Sequence, residues 1–169
     1  MADLTLTSAD ILECWRLNNA INLRLIDQIS DAGMRDTMST RGGRNVAQQF
    51  VHLHNVRWSW LYHADPKLAR GVARLNTKKD PTKAQLKSAL TASCDAIGRW
   101  LAMAIDDGVK LKNFAGGPVK ALGYFVAHDS HHRGSVLLTL KLCGHKVDMQ
   151  TQFGIWMMWH SKSARRLQM

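Results

Sequence analysis

Gly116-Gly-Pro-Val-Lys-Ala-Leu-Gly-Tyr-Phe-Val-Ala-His-Asp-Ser-His-His-Arg-Gly-Ser-Val-Leu-Leu-Thr-Leu-Lys-Leu-Cys-Gly144 is the stretch on which the fold turns. Glycines bound it at both ends, and Pro118 suits the first turn of a helix, where its missing N–H costs nothing. Inside, Leu122, Phe125, Val126, Val136, Leu137 and Leu140 recur at helical spacing. It reads as one helix of about 27 residues, or ~40 Å at 1.5 Å per residue.

Three further segments share that periodicity. One follows Thr7-Ser8-Ala9-Asp10, a helix N-terminus by its hydroxyls and acid, and turns Ile11, Leu12, Trp15, Leu25, Ile26 and Ile29 inward. It is expected to end at Gly33. The next begins after Gly42-Gly43, carries Val46, Phe50, Leu53, Trp60 and Leu61, and stops before Asp65-Pro66. The third opens at Asp80-Pro81, with the acid as cap, runs through Leu86, Leu90, Ile97 and Leu101, and ends near Gly108. Four amphipathic helices without a strand predict an all-α fold, an antiparallel four-helix bundle forming one domain over 1–169. Residues 145–169 are left as a tail, whose Phe153–Trp159 run is expected to be buried.

Composition narrows the classes. The chain has 169 residues, 46% of them hydrophobic and 21% charged, which excludes disorder. Three separated cysteines, Cys14, Cys94 and Cys143, form no C-x-x-C pair, so a disulfide framework or a cysteine zinc site is not expected. With no basic, apolar leader in Met1-Ala-Asp-Leu-Thr and no long apolar run, a cytoplasmic protein without a membrane span is expected. The net charge of +10 is uneven, because residues 1–40 carry six acids against three bases. Lys67, Arg70, Arg74, Lys78, Lys79, Lys83 and Lys87 face only Asp80, and Lys162, Arg165 and Arg166 close the chain. Phe, Tyr and Trp are absent from 63–99, so the stacking platforms of a nucleic-acid binder are missing where the charge is densest. The basic 67–87 segment reads as a solvated connector, or as an attractor for an anionic thiol such as glutathione.

Histidine carries the chemical signal. His128 and His132 are four apart on a helix, so their rings lie one turn apart on one face, the spacing that lets two nitrogens meet one metal ion. On the second helix His52 and His54 lie about 160° apart, and only one of them can join the same site. Three histidines leave coordination positions for water or substrate. The alternative is a patch of buried histidines bonded to Asp129, Asn55 or backbone carbonyls. His131 lies on a different face from His128 and is placed beside the site with Arg133; Gly134 implies close approach of another backbone. Glu13 is the sole glutamate, so acids are scarce. Asp129 makes His-Asp-x-x-His, similar to the zincin His-Glu-x-x-His helix but one methylene shorter; it is a candidate general base, or else orients a ligand or caps a neighbour. Asn18 and Asn22 fall on the inward stripe of the first helix, where they reach the metal pocket or bond to each other and the backbone.

The run Val126–Gly144, with its His-x-x-x-His-Arg-Gly element, resembles the last bundle helix of the DinB/YfiT-like family of damage-inducible proteins, which are regarded as metalloenzymes and are unrelated to the polymerase that shares the name. Asn45–Leu61 resembles that family's second helix, whose histidine supplies a third ligand, and Gly154–Trp159 is similar to a tryptophan-containing C-terminal element of one branch. The resemblance implies a four-helix bundle, often a homodimer, holding a divalent metal such as zinc or nickel. Its ligands would be His52, His128 and His132, with His54 as the fallback. It also implies a small-molecule substrate and either a metal-dependent hydrolase or a low-molecular-weight-thiol transferase, some relatives being thiol-dependent. The alternatives are a non-catalytic, stress-related binding module and, behind it, a basic nucleic-acid-binding helical protein. Ser135 departs from the family pattern, in which glutamine often follows Arg-Gly.

Overall fold

The computed structural model describes residues 7–160. Five helices follow one another: α1 (Ser8–Gln28), α2 (Val46–Ala64), α3 (Lys83–Asp106), α4 (Gly117–Leu142) and the short α5 (Met149–Met157). Single 3₁₀ turns at Gly33–Arg35 and Met158–His160 complete the regular structure, and the described residues contain no strand. The first four make the bundle: α1 and α2 each pack on both α3 and α4. No helix among the described residues is long and apolar enough to cross a membrane.

Local chemistry sets the helix starts. Thr7 with Asp10, Asn45 with Gln48, and Thr82 with Gln85 are reciprocal capping boxes, in which each side chain satisfies a backbone N–H that has no partner inside the helix. The cap of α3 is therefore Thr82 rather than Asp80, because only the Thr-x-x-Gln spacing satisfies both donors. Asp80 instead accepts from Asn45 Nδ2 at 2.9 Å and ties the start of α3 to that of α2.

Two glycines behave differently from expectation. α1 ends at Gln28, five residues before Gly33, where Ile29 turns extended at φ −79°, ψ 132°. Gly33 is needed for packing, since a Cβ there would stand 2.9 Å from Leu140 Cδ2 of α4. Gly134 shows the reverse. It faces outward with nothing within 4 Å of an added Cβ, so no backbone approaches it.

The core runs the length of the bundle in two apolar clusters on the same helices. Trp15, wholly buried, meets Phe125 at 5.6 Å and donates its indole N–H to Cys94 O at 2.8 Å, locking α1 to α4 and α3. After the bundle, α5 and the 3₁₀ turn behind it cap α1: Ile155 and, in the turn, Met158 are buried, and Gly154 passes close to Arg24. The Phe153–Trp159 run is only half covered, because helical rotation sends Phe153, Trp156 and Met157 outward, each more than 60% exposed. The basic cluster Lys162, Arg165 and Arg166 lies outside the described residues.

The basic connector is docked in its middle. Asn55 donates to Leu75 O and accepts from Leu75 N, both at 3.0 Å, while His54 Nε2 lies 2.9 Å from Ala73 O. These contacts press residues 73–75 onto α2.

Candidate metal centre

His52 on α2 and His128 and His132 on α4 converge where the two helices pack. One nitrogen from each lies within 4.8 Å of the other two, and the ring centroids are 4.7 to 5.3 Å apart. All three rings are half-buried. Burial first, and then the Arg44 and His128 charges, push the His52 pKa down to about 4. Burial and the surrounding histidines take His132 to about 4, and His128 is lowered by burial. Near neutral pH the three imidazoles are uncharged, the form in which histidine ligates a metal.

The rings are also oriented. His132 Nδ1 lies 3.2 Å from Gln49 Oε1, an acceptor, so Nδ1 carries the proton and Nε2 keeps its lone pair. Tyr124 stacks on His128 at 5.9 Å with the planes 13° apart. The donor set fits a transition metal: three neutral nitrogens, one of them held by an outer hydrogen bond, with no carboxylate bonded to any of the rings among the described residues.

The fallback histidine is elsewhere. His54, buried on the far side of α2, has its ring nitrogens against two carbonyls, Ala89 O at 2.8 Å and Ala73 O at 2.9 Å, and its one N–H serves whichever of them the tautomer faces. His131 is exposed and meets only the edge of His132, 5.0 Å away.

Asp129 follows His128 directly but is rotated about 100° around α4, into the core. There its Oδ2 accepts from Asn18 at 2.7 Å, Asn22 at 2.8 Å and Arg57 at 2.6 Å. Arg133 donates to Asn22 Oδ1 and Asn18 Oδ1, both at 2.9 Å, and closes the network. The positions read as general base and pocket lining thus form a buried polar layer that joins α1, α2 and α4. An oxygen with three donors, one of them a guanidinium, is poorly placed to take a proton from a substrate. Asn18 and Asn22 satisfy Asp129 and Arg133, and none of their hydrogen bonds goes to the imidazoles.

A model of the DinB family matches residues 1–159. The chain belongs to the DinB family. No curated protein and no solved structure matches it. Family membership together with the three-histidine group fits a DinB-like metal-binding protein. In this DinB chain three contributors went unread in the sequence. Gln49 sits three residues before His52, and Tyr124 four before His128, each on the same face of its helix as that histidine. That spacing was a usable signal. Arg57 gave none, because a mid-helix arginine ordinarily reads as exposed, whereas here it is 1% exposed.

Proposed function

We propose that this DinB-family protein is a metal-dependent transferase that uses a low-molecular-weight thiol, with zinc or nickel held by His52, His128 and His132. The observation that carries the reading is the convergence of three ring nitrogens within 4.8 Å from two helices, a set that leaves coordination positions for a substrate. When bound, a divalent cation supplies Lewis acidity that lowers the pKa of a thiol or a water. The chain's residues keep the imidazoles neutral by burial, fix the His132 tautomer through Gln49, and restrain His128 against Tyr124.

Thiol transfer is favoured over hydrolysis because a thiol gives up its proton far more readily than a water, and no carboxylate is bonded at the imidazoles among the described residues to assist a water. The nucleophilic sulfur comes from the substrate. Burial pushes the Cys94 thiol up to about 12 and raises Cys14, so both stay protonated. The sulfur attacks an electrophilic carbon, a C–S bond replaces the bond to the leaving group, and the thiol proton passes to solvent.

The same reading places the protein in a reducing cytoplasm, where the three cysteines remain free thiols. It also makes the protein a homodimer, supported by the outward Phe153, Trp156 and Met157 of α5. The test is an assay of tag-free, metal-loaded protein with glutathione and an aryl chloride. Thioether formation that requires both metal and thiol, and is lost in His128→Ala, is the expected result. Absence of turnover with either metal and several thiols would leave a non-catalytic binding module.

A further inference from the structure

The cluster of imidazoles does not stand alone. A cleft of about 390 Å³ opens at His52 and is lined by Arg44, Asn55, Ser59, Arg74 and Thr77. Its volume is of the size that takes a small molecule and not a macromolecular segment. Two guanidinium-bearing residues line it and no acid does. Among the described residues, neither Arg44 nor Arg74 has a carboxylate within ion-pair distance, whereas on the α1–α3 face Lys87 pairs with Asp27 and Lys83 with Asp31. Two like charges held at one hollow repel each other until an anion joins them.

The cradle is built in advance. The close contact of His54 with Ala73 O and the two bonds of Asn55 to Leu75 hold the backbone on both sides of Arg74, and the Arg74 guanidinium lies over the Trp58 ring at 5.6 Å. Arg44 directly precedes Asn45, whose capping box and bond to Asp80 fix the start of α2. Arg44 is also near enough to lower the pKa of all three imidazoles. The larger hollow between α1 and α3, about 840 Å³, lacks this character. It holds Asp27 and Asp95 beside its bases, and Asp27 already takes Lys87 through both oxygens.

We infer that Arg44 and Arg74 form a carboxylate-binding subsite beside the histidine cluster, so that the substrate is a small carboxylate-bearing molecule. The planar guanidinium fork matches a carboxylate with two parallel hydrogen bonds, and the Ser59 and Thr77 hydroxyls in the same cleft add neutral donors. This assignment deepens the transferase reading, which says which end of the ligand reacts, but the subsite itself stands without a metal.

The experiment therefore uses the full chain stripped of metal and titrates it with succinate, the uncharged succinamide and inorganic phosphate, followed by calorimetry. Succinate is expected to bind, to weaken about tenfold or more in the Arg44→Gln/Arg74→Gln double variant and at high salt, and to outcompete phosphate. Succinamide is expected not to bind. Both arginines are exposed, so the variants should keep the parent's circular dichroism and melting profile. Unchanged succinate affinity in the double variant, equal binding of succinamide, no succinate binding, or tighter binding of phosphate would each overturn the assignment. A protein that binds succinate through these arginines yet shows no turnover with metal and thiol would retain the subsite and lose the transferase reading.

Discussion

His132 Nδ1 and Gln49 Oε1 lie 3.2 Å apart across the α2–α4 interface, and a proton on that Nδ1 leaves the lone pair of the ring on Nε2. Gln49 is itself buried, so the amide is not free to turn away. Replacing it with methionine, of similar volume, removes the acceptor and leaves the packing. The Gln49→Met variant is expected to bind zinc about 10- to 100-fold more weakly, as measured by competition with a chromophoric chelator, with little change in helicity. An unchanged affinity would show that the contact has no orienting role.

The buried layer beneath the site gives a second expectation. Arg57 Nη2 meets Asp129 Oδ2 at 2.6 Å with both side chains 1% exposed, and its Nη1 donates to Asn19 Oδ1 at 2.8 Å. Arg57 also lies over Trp15, 4.6 Å from the ring. Removing one partner leaves a buried charge uncompensated, so Arg57→Met should cost about 3–5 kcal/mol in urea denaturation. Arg57→Met combined with Asp129→Asn should recover part of that loss. A double variant no better than the single one would contradict the pairing.

Acid should weaken the metal-free fold. His52 and His132 titrate at about 4 when folded, against the ordinary histidine value of 6.5 once unfolded. Between those values the unfolded chain binds protons that the folded chain refuses, so stability falls as pH drops from about 6.5 toward 4 and is complete above that window. Melting temperature measured across this range should fall less steeply in the His52→Gln/His132→Gln variant. Equal slopes would show that these rings do not carry the effect.

Gly134 tests the outer face of α4. With open space around its Cβ position, Gly134→Ala should raise stability by up to about 1 kcal/mol, the helical cost of glycine relative to alanine. Gly98→Ala should gain less than Gly134→Ala, because its new methyl would stand 3.0 Å from Leu12 Cδ2, which must give way. A destabilised Gly134→Ala would mean that a second surface covers this face.

Periodicity made the four bundle helices legible, along with the shared face of His128 and His132, because a pattern every three or four residues survives without knowledge of neighbours. It could also say that His52 and His54 point apart. It could not say what a polar residue on an inward stripe would meet. Asn18 and Asn22 depend on Asp129, more than a hundred positions away, and Asp129 looked catalytic only because it stands next to His128 in sequence. The 65–82 connector has no period at all, so the anchoring of residues 73–75 by His54 and Asn55, and with it the cleft at Arg44 and Arg74, exists only in three dimensions.

The central claim is that His52, His128 and His132 hold one metal ion, and elemental analysis of tag-free protein tests it most directly. Purified without chelator and dialysed against trace zinc and nickel, the protein should retain close to one equivalent of divalent metal per chain. The folded His128→Ala variant should retain almost none. Parent protein without bound metal, or a His128→Ala variant that keeps the parent's metal content, would contradict the account.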